Sequence, residues 1–89
     1  MQEVRTVQIV NRAGLHARPA AEFVKLAGAF TSEVWVAKDG VDVNGKSILG
    51  VLMLAAEHGS ELTIRCVGAD AATAAEALAD LVSRGFEEN

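Results

Sequence analysis

A chain of 89 residues is the size of one small domain, which buries a modest core and has little room for an enclosed substrate pocket. With 51% hydrophobic and 22% charged residues, it has the composition of a folding globular protein and not of a disordered one. A formal net charge of −4, no run of lysine or arginine, and three phenylalanines with one tryptophan and no tyrosine argue against a nucleic-acid interface.

Cys66 is the single cysteine, so no internal disulfide and no oxidising compartment are implied. The N-terminus is polar (Gln2, Glu3, Arg5), and the longest apolar stretch, Ile48 to Ala56, is much too short to span a bilayer. The expectation is a cytoplasmic protein with no membrane insertion, its function carried on its surface.

Residues 3–10 are rich in β-branched side chains and mix polar with apolar positions, as a half-exposed strand does. A glycine loop follows through Asn11-Arg12-Ala13-Gly14-Leu15, then His16. From Ala17 to about Phe30 the apolar residues Ala20, Phe23, Val24, Ala27 and Phe30 recur at spacings of three and four, predicting a helix. Its density of alanine suggests close approach to a sheet. Residues 33–37 and 41–44 read as two strands joined by Lys38-Asp39-Gly40, an antiparallel hairpin signal. Asn44-Gly45 turns the chain, and Ser47 is placed to cap a short apolar helix from Ile48 to about Ala55.

Residues 61–67 give the clearest alternation: Leu62, Ile64 and Cys66 face one way, Glu61, Thr63 and Arg65 the other. That pattern predicts a sheet with one covered and one wet face, usually antiparallel. Asp70 is placed to cap a last helix, Ala71 to Arg84, with Gly85 as its stop and Phe86 as an apolar clasp. The order βαββαβα over residues 1–89, one domain, packs most simply as an α+β fold with three helices on one face of an antiparallel sheet.

His16 is the first candidate for chemistry. Placed at the cap of the first helix, its ring lies beside the N–H groups of Ala17 and Arg18, which have no intrahelical partner, and Pro19 fits the first turn because its missing N–H would be unpaired there anyway. A helix start built for stability alone would more often use Ser, Thr, Asp or Asn. Imidazole is a nucleophile near neutral pH. With the helix N-terminus and the Arg18 guanidinium beside it, the residues form a place to hold a phosphoryl group.

Ser47 has two readings. As an N-cap it contributes about 1 kcal/mol; as a phosphorylation site it stands at a helix start, where added negative charge is tolerated. The run Ile48-Leu49-Gly50-Val51-Leu52-Met53-Leu54 is apolar around nearly its whole circumference, from generous burial or from an exposed patch that docks a partner. Residues 40–47 satisfy the nucleotide-binding pattern G-x-x-x-x-G-K-[ST]. Against that reading, Val41-Asp42-Val43-Asn44 alternates as a strand, where a phosphate cradle needs a compact run of main-chain N–H groups. His16, His58 and Cys66 have no ligand-like spacing, so neither a metal nor a cofactor is expected.

N-x-x-G-L-H-A-R-P-A before an alanine-rich helix, then N-G-K-S-I-L-G-V-L, then H-G-S-E-L-T-I, resembles the HPr family of histidine-containing phosphocarriers of the bacterial sugar phosphotransferase system, over essentially the whole chain. The resemblance implies an open-faced β-sandwich, a four-stranded antiparallel sheet under three helices. It also implies a relay from phosphoenolpyruvate through enzyme I to a carrier histidine and on to sugar-specific IIA proteins or domains, a carrier role and not an enzyme. On the matching positions, His16 would be the acceptor through Nδ1, Arg18 would assist, and Ser47 would be the regulatory serine of an HPr kinase/phosphorylase. Ala17, Ala20, Ile48, Leu49 and Leu52 would form a partner-binding surface on a monomer. A paralogue of the nitrogen-related branch carries a nearly identical histidine motif and is the alternative pathway.

Overall fold

The computed structural model describes residues 1–88. Its elements run β1 (Gln2–Gln8), α1 (Ala17–Ala27), β2 (Glu33–Lys38), β3 (Val41–Asn44), α2 (Ile48–Met53), β4 (Glu61–Val67) and α3 (Ala71–Ser83), closed by a 3-10 turn, Gly85–Glu87. The four strands form one sheet in the order β1-β4-β2-β3, every pair antiparallel. This is the α+β, βαββαβα architecture expected from the sequence.

The alternation in β4 decides which face is covered. Leu62, Ile64 and Cys66 are fully buried and lie beside Val34 and Val36 of β2, in one core with Phe23, Ala74, Leu78 and Val82 from the helices. Each large aliphatic side chain buried this way stabilises the fold by about 1.5–3 kcal/mol. On the opposite face Arg65 stacks over Trp35 at 5.7 Å and reaches Asp42 at 3.4 Å, a solvated arrangement. Ala20 and Ala27 are wholly buried, but the close neighbours of α1 are α2 and α3; it is α3 that lies closest on the sheet, over β1 and β4, which corrects the expected approach of α1 to a sheet.

Where boundaries differ from the sequence reading, the cause is local. β1 ends at Gln8, although Ile9 still exchanges backbone bonds with Ser60 and Gly59 at 2.8 Å, because Val10 turns outward and Asn11 turns in. α1 stops at Ala27 and leaves Phe30 in the following turn. α2 stops at Met53: Leu54 and Ala55 donate three residues back, and Ala55 enters the left-handed region at φ 49. The Asp39-Gly40 turn has both φ positive, 50 and 82, as a tight hairpin requires.

Asp70 corrects one expectation. It stands at the N-cap of α3, but its side chain does not cap that helix. Its carboxylate instead accepts the backbone N–H groups of Thr31 and Ser32, each at 2.9 Å, and the Ser32 hydroxyl.

Candidate functional site

The loop that delivers His16 is secured before the helix begins. Asn11 is 2% exposed, and its Nδ2 donates to the Gly14 carbonyl at 2.8 Å, while the Gly14 N–H returns to the Asn11 carbonyl at 3.2 Å. Buried Leu15 donates its N–H to the Ala56 carbonyl at 2.8 Å, tying the loop to the segment after α2. Gly14 has φ +72, and a Cβ there would lie 2.6 Å from the Ala56 oxygen, so only glycine fits.

His16 is the N-cap of α1, with an extended backbone and a carbonyl that accepts from Ala20 N–H at 3.0 Å. Its side chain makes no cap hydrogen bond and is 44% exposed. The N–H groups of Ala17 and Arg18 have no partner within the helix, so the positive end of the helix dipole opens beside the imidazole. Arg18 is exposed and, among the described residues, forms no ion pair. A shallow hollow beside the ring is lined by Arg12, Leu15, Ala56 and His58, among others.

One neighbour was not legible in the sequence. Glu88 Oε1 lies 3.0 Å from His16 Nε2 and accepts Asn11 Nδ2 at 2.8 Å. The hydrogen bond from His16, then that from Asn11, and the charges of His16 and Arg18 hold the Glu88 carboxyl below its usual range, against a smaller opposing effect of burial. Glu88 carries no periodic or motif signal; only the return of the chain after α3 brings it here.

Ser47 caps α2, its Oγ accepting from the Gly50 N–H at 3.2 Å. Beyond it Ile48, Leu49 and Met53 are 41%, 72% and 76% exposed, while Val51 and Leu54 face the core and Leu52 is half-buried. An apolar patch therefore stands open on α2, and it includes Met53, which the family positions alone did not indicate. Ala17 is exposed, but Ala20 is wholly buried beneath α1, so its place is in the core and it has no surface to offer a partner.

Residues 40–47 form no phosphate cradle. Val41–Asn44 is an antiparallel strand paired to β2, and the Lys46 ammonium donates to the Phe30 carbonyl at 2.7 Å. Asn44 Oδ1 takes the Lys46 N–H at 2.8 Å. Cys66 is fully buried, and burial pushes its thiol up, away from reactivity. Among the described residues no His, Cys, Asp and Glu cluster is arranged to hold a metal ion, and no helix is long and apolar enough to cross a membrane.

A nucleophilic ring presented openly over a free helix N-terminus, beside a shallow hollow, suits a protein that holds a phosphoryl group briefly and hands it on, a phosphocarrier. The family model described as the PTS HPr component phosphorylation site matches residues 4–84. The chain is 46% identical over 84 residues to phosphocarrier protein HPr of Neisseria meningitidis, covering 94% of each chain, and 46% identical over 85 residues to that of Treponema pallidum, covering 96% and 97%. The crystal structure of an HPr from Thermoanaerobacter tengcongensis superposes with a TM-score of 0.93 at 42% identity over 98% of each chain. This chain belongs to the HPr family, and the general role of phosphocarrier in the phosphotransferase system comes with that membership.

Proposed function

We propose that this protein accepts a phosphoryl group on His16 Nδ1 from phosphorylated enzyme I and passes it to IIA proteins or domains of sugar uptake. The observation that carries the reading is the exposed His16 ring, uncapping and unburied, over the first turn of α1. The helix N-terminus favours the incoming negative charge by about 0.3–1 kcal/mol, and Arg18 supplies charge-assisted donors to the phosphoryl oxygens.

The carrier acts as a cytoplasmic monomer and turns over nothing alone, because donor and acceptor pockets supply the rest of the transition state. The exposed Ile48, Leu49 and Met53, with half-buried Leu52, give each partner an apolar footing on α2, the helix packed against α1. Ser47 regulates that footing: a phosphate added there by a kinase would place charge at its edge.

Incubation with enzyme I and labelled phosphoenolpyruvate should give an acid-labile, alkali-stable phosphoprotein, and His16→Ala should take up no label. Label in that variant would overturn the assignment. Onward transfer to a sugar-specific IIA in preference to a nitrogen-branch IIA would assign the pathway.

A further inference from the structure

We propose that Met53 is a reversible oxidation site, its thioether converted by a peroxide to the sulfoxide, which weakens docking on α2. The inference rests on the reading of the exposed α2 face as the surface on which partners stand. The chain holds three sulfur atoms, in Met1, Met53 and Cys66, and their surroundings differ. Cys66 lies wholly within the core, where burial raises its pKa and suppresses the thiolate that oxidants attack. Met1 is 75% exposed, but it leads into β1 beside the end of β4, where its carbonyl accepts from the Gly68 N–H at 2.9 Å. The loop that carries His16 leaves the opposite end of β1. Of the three, only Met53 combines exposure, 76%, with a place on the apolar patch of Ile48 and Leu49.

A thioether needs no deprotonation to react, so exposure decides which methionine is attacked. A sulfur lone pair bonds to one oxygen of hydrogen peroxide as the O–O bond breaks. The departing hydroxide takes the proton of the transferred oxygen and leaves as water. The sulfur is oxidised by two electrons and the peroxide is reduced by two. The side chain changes from flexible and apolar to polar, with an oxygen that accepts hydrogen bonds. In the free carrier that oxygen is hydrated. Under a partner it exchanges water for apolar neighbours, so the cost falls on the complex.

The fold itself is spared. Met53 lies outside the buried core, and the segment holds to that core through Val51 and Leu54. A sulfoxide reductase removes the oxygen again as water, with a dithiol oxidised to the disulfide. Ser47 caps the start of the same six-residue helix and Met53 ends it, so charge at one end and oxidation at the other act on one surface.

The test uses the full chain, treated with hydrogen peroxide, freed of oxidant with catalase, mapped by peptide mass and titrated with enzyme I by calorimetry. Protein carrying the sulfoxide at Met53 should bind about three- to tenfold more weakly, with an unchanged urea midpoint. Methionine sulfoxide reductases for both epimers, supplied with a dithiol, should restore the original Kd. Met53→Leu should show the same Kd before and after treatment, whatever that value is, although its Met1 is still oxidised. An unchanged Kd in fully oxidised protein overturns the proposal, as does failure of the reductases to restore it. An equal loss in treated Met53→Leu overturns it by placing the effect at another residue, and a urea midpoint that falls with the affinity does so by showing damage to the fold. Wild-type affinity in Leu49→Asp would instead remove the docking surface, and labelling of His16→Ala would remove the carrier reading; both are read on protein that has met no peroxide.

Discussion

Asp70 and Ser32 are joined across 38 residues through one carboxylate, which accepts both the Ser32 backbone N–H at 2.9 Å and the Ser32 hydroxyl. The Thr31 N–H completes the set at 2.9 Å. The residue that opens α3 therefore pins the turn that leads from α1 into β2. The Ser32 hydroxyl first, then the Thr31 amide, lower the Asp70 pKa from 3.8 to about 2.

That depression fixes the sign of a pH effect. A carboxyl held lower in the folded state than in the unfolded one contributes its stability above the unfolded value, and loses it as pH falls through the folded value. The contribution of Asp70 should be complete above about pH 4 and gone near pH 2. Asp70→Asn should be less stable than the wild type near neutrality, with the difference closing across that window. Urea unfolding from about pH 6 to about pH 2 checks it; a difference that stays constant down to pH 2 would show that the Asp70 bonds do not act through ionisation.

The same residue shows where sequence reasoning reaches its limit. Asp70 was legible as a helix start because caps are local, but its partners lie 38 residues back and no spacing rule points to them. β4 was legible to the residue, since Leu62, Ile64 and Cys66 on a central strand must alternate to bury one face. Strand order was not: β1 pairs with β4 by long-range packing, which leaves no mark within either segment. At the site, His16, Gly14 and Ser47 carried local signals from caps and turns. Glu88 carried none, being one acidic residue in a polar C-terminal run, and Ala20 was placed with exposed Ala17 and Arg18 on the partner surface, whereas helical rotation turns it inward together with Pro19.

Gly14 separates the loop from the helix it serves. A side chain there would have to adopt φ +72 and push its Cβ to 2.6 Å from the Ala56 carbonyl oxygen, beside the bond that Leu15 N–H makes to the same atom. Gly14→Ala should destabilise the protein by about 1–3 kcal/mol and shift the loop carrying Asn11 away from Glu88. Thermal unfolding reads the first effect, and slower labelling by enzyme I at a temperature where the variant is folded reads the second. A Gly14→Ala protein with the wild-type melting temperature would show that the loop has another conformation of equal energy.

The exposed face of α2 separates stability from docking. Leu49 and Met53 are 72% and 76% exposed, so replacing either by a polar residue removes little buried area and should change stability by no more than about 0.5 kcal/mol. If partners stand on that face, Leu49→Asp and Met53→Lys should each weaken binding to enzyme I by about 1–2 kcal/mol, roughly 5- to 30-fold in Kd. Ser47 supplies the contrast on the same helix. Ser47→Ala loses the cap on Gly50 N–H and should cost about 1 kcal/mol of stability, yet keep its affinity, whereas Ser47→Asp places charge at the patch edge and should weaken docking. Titration calorimetry with enzyme I, paired with denaturation of each variant, distinguishes the two effects. Unchanged affinity in Leu49→Asp and Met53→Lys would move the docking surface off α2 and leave its exposed apolar side chains without a role in the relay.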